Sequence, residues 1–185
     1  AMCSPGTIAG DLPKRVGDFL RASGPSAAAG TLAAGAEKIF IGMARESGAI
    51  NDPSVRQDLV RLHTLHEVGR MLALRLKAEK AAGRDIPGAP NIAKLSMSNI
   101  MRSSRDLGLR IAGANGMLHG YTSADRAVVE EATGQPYLAH ITEMALFAQG
   151  PPIYGGTDQV QRNILGERAL GLPKEPNDDK VKTWA

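Results

Sequence analysis

A chain of 185 residues with 43% hydrophobic side chains is long enough to bury one core, and its 4% aromatic content leaves that core to Ala, Leu, Ile, Val and Met, which suits packed helices. A net charge of +3, with acidic and basic residues interleaved and no basic block, indicates a solvated surface and argues against nucleic-acid binding. No apolar run reaches the ~20 residues of a membrane span, no charged-then-apolar leader opens the chain, and the single cysteine, Cys3, excludes an internal disulfide, so a cytoplasmic, all-α protein of one domain is expected.

Residues 1–24 are broken by Pro5, Gly6, Gly10, Pro13, Gly17 and Gly24, with one short amphipathic fragment around Val16, Phe19 and Leu20. They read as a partly ordered lead-in. The helical bundle is expected over 25–173. Its first helix runs from Pro25 to about Glu46, with Leu32, Ile39, Phe40 and Met43 among small alanines. After the Gly48–Asp52 loop, Asp52-Pro53 supplies an N-cap and a proline at the first helical position. Val55, Leu59, Leu62, Leu65, Val68 or Gly69, Leu72 and Leu76 then repeat at three and four, predicting a long helix to about Ala82.

A loop at Gly83–Pro90 precedes a third helix, Ile92 to about Ala112, whose Ser and Asn content suggests that one side faces a partner or a wet cleft. Gly113-Ala114-Asn115-Gly116 stops it. A short helix is expected over Ala127–Ala132, then a break at Gly134-Gln135-Pro136, then helical spacing from Tyr137 through Leu138, Ile141, Met144 and Phe147. The simplest architecture is a four-helix bundle with one further helix at its end. A mobile tail is expected over 174–185.

That further helix begins in the stretch from Ile153 to Pro173. Gly155-Gly156 permits backbone conformations closed to other residues, Thr157 is a good N-cap, and a helix starting at Asp158 carries Val160, Ile164 and Leu165 as an apolar stripe before Gly171 and Pro173 end it. Free amides at such a start favour a phosphate or carboxylate; the bland alternative is a surface turn and a capped helix.

Tyr154-Gly155-Gly156-Thr157-Asp158-Gln159-Val160-Gln161-Arg162-Asn163-Ile164-Leu165-Gly166-Glu167-Arg168, followed by Leu170-Gly171-Leu172-Pro173, resembles the carboxy-terminal signature of the acyl-CoA dehydrogenase family, with a looser resemblance from about Ser23. The resemblance implies FAD enzymes that oxidise acyl-CoA thioesters between the α and β carbons, built of two helical domains and a small β domain, of which this chain holds the last helical one. It further implies FAD contacts from Gly155, Gly156, Thr157 and Gln159, and contacts to an adjacent subunit's FAD from Arg110, Gly113 and Ala114. At that second place Arg110 replaces the family's glutamine and Ala114 one of its glycines.

Two further departures matter. The family's usual catalytic glutamate position is Gly155, which cannot abstract a proton, and neither Asp18 nor Glu37 sits in a motif that transfers the role, so no catalytic residue is assigned. The Arg-x-x-Phe-Gly of many relatives is replaced here by Ala44-Arg45-Glu46-Ser47-Gly48-Ala49-Ile50-Asn51-Asp52-Pro53. His63 and His66 share a helix face without a third ligand, and His119 and His140 are isolated, so no metal site is expected. The implied partners are an acyl-CoA substrate and other subunits of a homo- or hetero-oligomer, with no nucleic acid or membrane. The rival expectation is a non-catalytic helical assembly subunit that has lost the base and part of the FAD site.

Overall fold

The structure is a computed structural model and describes residues 37–174. Six α-helices stand along this span: α1 (Glu37–Glu46), α2 (Pro53–Ala81), α3 (Ala89–Ala112), α4 (Ser123–Thr133), α5 (Leu138–Phe147) and α6 (Asp158–Ala169), with 3-10 turns at Ala49–Asn51 and Gly113–Met117. Among the described residues there is no strand, so the fold is all-α. No helix of this part is long and apolar enough to cross a membrane. The lead-in, the expected start of the first helix at Pro25, Asp18, and the tail from residue 175 lie outside the described residues.

The helix starts follow their chemistry. Asp52 caps α2 by accepting the Ser54 N–H at 2.7 Å, and Pro53 occupies the first turn, where a missing donor costs nothing. That bond holds the Asp52 carboxyl below its usual range. Helix α3 begins at Ala89, three residues before the expected Ile92. The Gly-Ala-Pro sequence looks like loop, but Gly88 takes a left-handed conformation and Pro90 fits the first turn. Helix α4 also starts early, at Ser123, because Thr122 and Asp125 form a reciprocal capping box.

Helix α3 is the central element, packed against α1, α2, α5 and α6. The core joins Phe40, Met43 and Ala44 of α1, Val55, Leu59 and Leu62 of α2, Ile100, Met101, Leu107 and Ile111 of α3, and Ile141 and Met144 of α5. This is the expected four-helix core. Helix α4 lies on α5 outside it. The second half of α2 leaves this core: beyond His66 none of its residues is fully buried, and Val68, Met71 and Leu74, with Val60 from the first half, are exposed on the side of α2 away from α3.

Candidate functional site

Asn91, Lys94, Ser98 and Arg102 are spaced by three and four, so they share one face of α3. The polar side of this helix was expected to face a partner or a wet cleft. Instead it meets α6 of the same chain, which runs antiparallel to it. Leu165 packs on Gly88, Asn91 Nδ2 donates to Gln161 Oε1 at 2.5 Å, and the Asp158 carboxylate takes Lys94 Nζ and Arg102 at 2.8 Å each. Arg102 also donates to Asn99 Oδ1 at 2.7 Å. The inward face of α6 is therefore Asp158 and Gln161, both buried, while Val160 points outward and Ile164 is half-buried. The expected apolar stripe is rotated by one residue from the true contact face.

Asp158 is 3% exposed, and burial pushes its carboxyl upward. Lys94, Ser98 and Arg102 outweigh that effect and bring it from an ordinary 3.8 down to about 2. The Ser98 hydroxyl lies close enough to favour the ionised form, though it makes no hydrogen bond of ordinary geometry. A depressed carboxylate pKa stabilises the folded chain fully above the unfolded value, and the contribution fades as pH falls from 3.8 toward 2. With solvent screening at this shallow site the contribution is about 1–2 kcal/mol. Acid titration followed by far-UV circular dichroism should therefore show stability falling below about pH 4, with that part of the fall absent in Asp158→Asn.

Above this ion cluster sits the diglycine bend. Gly155 and Gly156 have φ of 65° and 85°, and both are exposed. Gln161 Nε2 donates to the Gly155 carbonyl at 2.8 Å and the Gly156 carbonyl at 3.4 Å, turning both oxygens inward. Thr157 acts as N-cap, its hydroxyl accepting the Val160 N–H at 3.3 Å, and the Asp158 N–H donates to Pro152 O at 3.0 Å. Among the described residues no acceptor meets the N–H groups of Gly155, Gly156, Thr157 or Gln159. Beneath them two cations oppose one carboxylate, leaving one positive charge in excess. A bend with unpartnered amides beside such a cluster suits an anionic group, and the Gln159 side chain is exposed beside it.

The other expected cofactor residues lie elsewhere. Arg110 is on the last turn of α3 and Gly113 and Ala114 open the following 3-10 turn, roughly 10–20 Å further along the α3 axis than Arg102 at 1.5 Å per residue. Arg110 makes an ion pair with Asp58 of α2. Gly155, Gly156, Thr157 and Gln159 are thus brought together, and Arg110, Gly113 and Ala114 form a second, separate group. Within residues 154–161 the one carboxylate is Asp158, which is held in its ion pairs. Groups of three or more metal ligands are absent among the described residues; His119 Nδ1 lies 3.0 Å from Thr142 Oγ1 and stacks edge-on to Tyr121.

Residues 27–170 match the family model described as acyl-CoA dehydrogenase, C-terminal domain. The chain belongs to the acyl-CoA dehydrogenase family. It is 33% identical over 136 residues to acyl-CoA dehydrogenase IpdE1 of Mycobacterium tuberculosis, covering 74% of this chain and 31% of that protein. The IpdE1 of Mycolicibacterium smegmatis is 29% identical over 136 residues, with 74% and 30% covered. This acyl-CoA dehydrogenase domain spans about a third of the length of those relatives. Among solved structures, the Tcur3481-Tcur3483 steroid ACAD superposes with a TM-score of 0.60 at 20% identity, over 75% of this chain and 34% of that one. The ChsE4-ChsE5 complex from Mycobacterium tuberculosis gives 0.57 at 21% identity, over 76% and 36%. At those identities the likeness concerns the fold alone.

Asn91, Lys94, Arg102, Asp158 and Gln161 were not picked out from sequence, although they position the bend of this acyl-CoA dehydrogenase domain. Their signal was present in the +3/+4 spacing on both helices. A polar helical stripe ordinarily means water, and only the pairing of two such stripes means a buried clasp.

Proposed function

We propose that this chain is the flavin-side C-terminal helical domain of an FAD-dependent acyl-CoA dehydrogenase, acting together with domains or subunits that complete the active site. The observation that carries this reading is the exposed diglycine bend, whose amides meet no acceptor among the described residues while Gln161 holds its carbonyls. The open donors of Gly155, Gly156 and Thr157 and the net positive charge below them fit one end of a dinucleotide's pyrophosphate. FAD, when bound, would supply the hydride acceptor for oxidation of the acyl thioester. The chain's own part is to bind and orient. Gly155 has no side chain and Asp158 is locked, so the α-proton must go to a base contributed from elsewhere.

Arg110, Gly113 and Ala114 are too far along α3 to join the same phosphate site, so we assign them to a cofactor held mainly by an adjacent subunit. Arg110 would have to be shared with Asp58 there, which weakens that second contact. An oligomer is also supported by the apolar stripe of Val60, Val68, Met71 and Leu74 on α2. The structural neighbours named as the Tcur3481-Tcur3483 steroid ACAD and as the ChsE4-ChsE5 complex make a hetero-oligomer with a second dehydrogenase chain the assembly to test first, and a bulky polycyclic acyl-CoA the first substrate.

The second reading, a non-catalytic assembly subunit, is favoured by two observations: Arg110 is committed to Asp58, and Gly155 offers no base. The two separate on the visible spectrum of the purified protein after incubation with FAD. Retained flavin bands after gel filtration are the result expected for a flavin domain. A colourless protein that still assembles into oligomers by light scattering would favour the assembly subunit.

A further inference from the structure

A cavity of about 210 Å3 opens on another side of the bundle, where the C-terminal ends of α1 and α4 converge on the last turn of α3. Its walls include Met43 and Glu46 of α1, Ile111 of α3, and Gln135 and Tyr137 from the α4–α5 turn. Among these described wall residues there is no Lys, Arg or His. Each helix C-terminus contributes roughly half a negative charge through its open carbonyls. Helix α4 amplifies this instead of offsetting it: its last turn holds Glu130 and Glu131 and no basic residue. Glu46 adds a full carboxylate at the end of α1; Arg45 in the same turn is exposed and is not part of the cavity wall.

The neutral polar groups in the wall also present acceptors. Ser47 spends its hydroxyl proton on Met43 O at 2.8 Å and accepts the Ala49 N–H at 3.4 Å, which leaves one lone pair, and Thr133 spends its proton on Val129 O at 2.7 Å. The Gln135 carbonyl oxygen is buried with no donor among the described residues. Met43, Ile111 and the Tyr137 ring provide apolar surface between them. An enclosure of acceptors, one carboxylate and an aromatic ring, without a cation of its own, lacks a donor-rich positive group.

We propose that this cavity is a binding site for an alkylguanidinium or alkylammonium group, with Glu46 as its counter-ion. The site is separate from the diglycine bend, and Ile111 in its wall lies between Arg110 and Gly113 of the second group. The same chemistry could arrive on a small organic cation or on an arginine or lysine side chain of a neighbouring subunit.

The test is titration of the full chain with n-butylguanidinium, followed by amide NMR shifts at Ser47, Gly134 and Gln135, with neutral n-butylurea as the isostere. Saturable shifts confined to this corner are expected for the cation, with at least about a five-fold weakening in Glu46→Gln and in raised salt. Glu46 is exposed, so this variant keeps the fold, and its circular dichroism provides the check. Light scattering in the same titration distinguishes the sources. A fall in mass means that the cation displaces a partner's side chain, and an unchanged mass means a free small ligand. Equal binding of butylurea, an unaltered affinity in Glu46→Gln, or no saturable shift at any of the three amides would overturn the proposal.

Discussion

Asp158→Asn is expected to lower the thermal midpoint by about 4–16 °C. The substitution keeps the shape of the side chain but removes the charge that Lys94 and Arg102 share at 2.8 Å each. Breaking a buried ion pair from one side costs about 3–5 kcal/mol because the remaining charge is stranded. Arg102 is 32% exposed and can turn toward water, which reduces the cost to about 2–4 kcal/mol. For a domain of this size each kcal/mol moves the midpoint by about 2–4 °C. A shift below about 2 °C, measured by calorimetry at neutral pH, would mean that the cluster is solvated and does not anchor α6.

The second large effect separates the two glycines of the bend. Both have positive φ, so alanine at either carries a conformational cost of about 1 kcal/mol. Their surroundings differ. A Cβ on Gly155 would meet nothing within 4 Å, whereas on Gly156 it would lie 2.8 Å from Gln161 Nε2. A glutamine end can usually move aside, but this one is buried and tied to Asn91 and to both bend carbonyls. Gly156→Ala is therefore expected to cost about 2–3 kcal/mol and Gly155→Ala about 1 kcal/mol, read as urea midpoints at constant m-value. Equal costs would show that the Gln161 clasp yields freely and does not fix the bend.

Much of the fold was legible because it rests on local rules. Asp52-Pro53 announces the start of α2, the three-and-four spacing of Val55, Leu59 and Leu62 marks its buried face, and Gly134 marks the end of α4. The early starts of α3 and α4 were missed for opposite reasons. Gly88-Ala89-Pro90 has the composition of a loop yet opens a helix, whereas the Thr122–Asp125 capping box was readable and went unread. The site was legible only in its outer layer. Gly155, Gly156 and Thr157 stand out by residue type, but Gln161, which holds the bend carbonyls, is itself held by Asn91 of α3, 70 positions away. The Arg110–Asp58 pair spans 52 positions and has no local signature. No pattern within either helix could reveal it.

The central claim is that the Gly155–Thr157 bend holds a dinucleotide phosphate, and equilibrium dialysis of the chain against FAD, with Gly156→Ala beside it, tests this most directly. Saturable uptake by the native chain, weakened at least about ten-fold in Gly156→Ala at a temperature where both remain folded, is the expected result. Absence of saturable uptake, or the same affinity in both proteins, would contradict it.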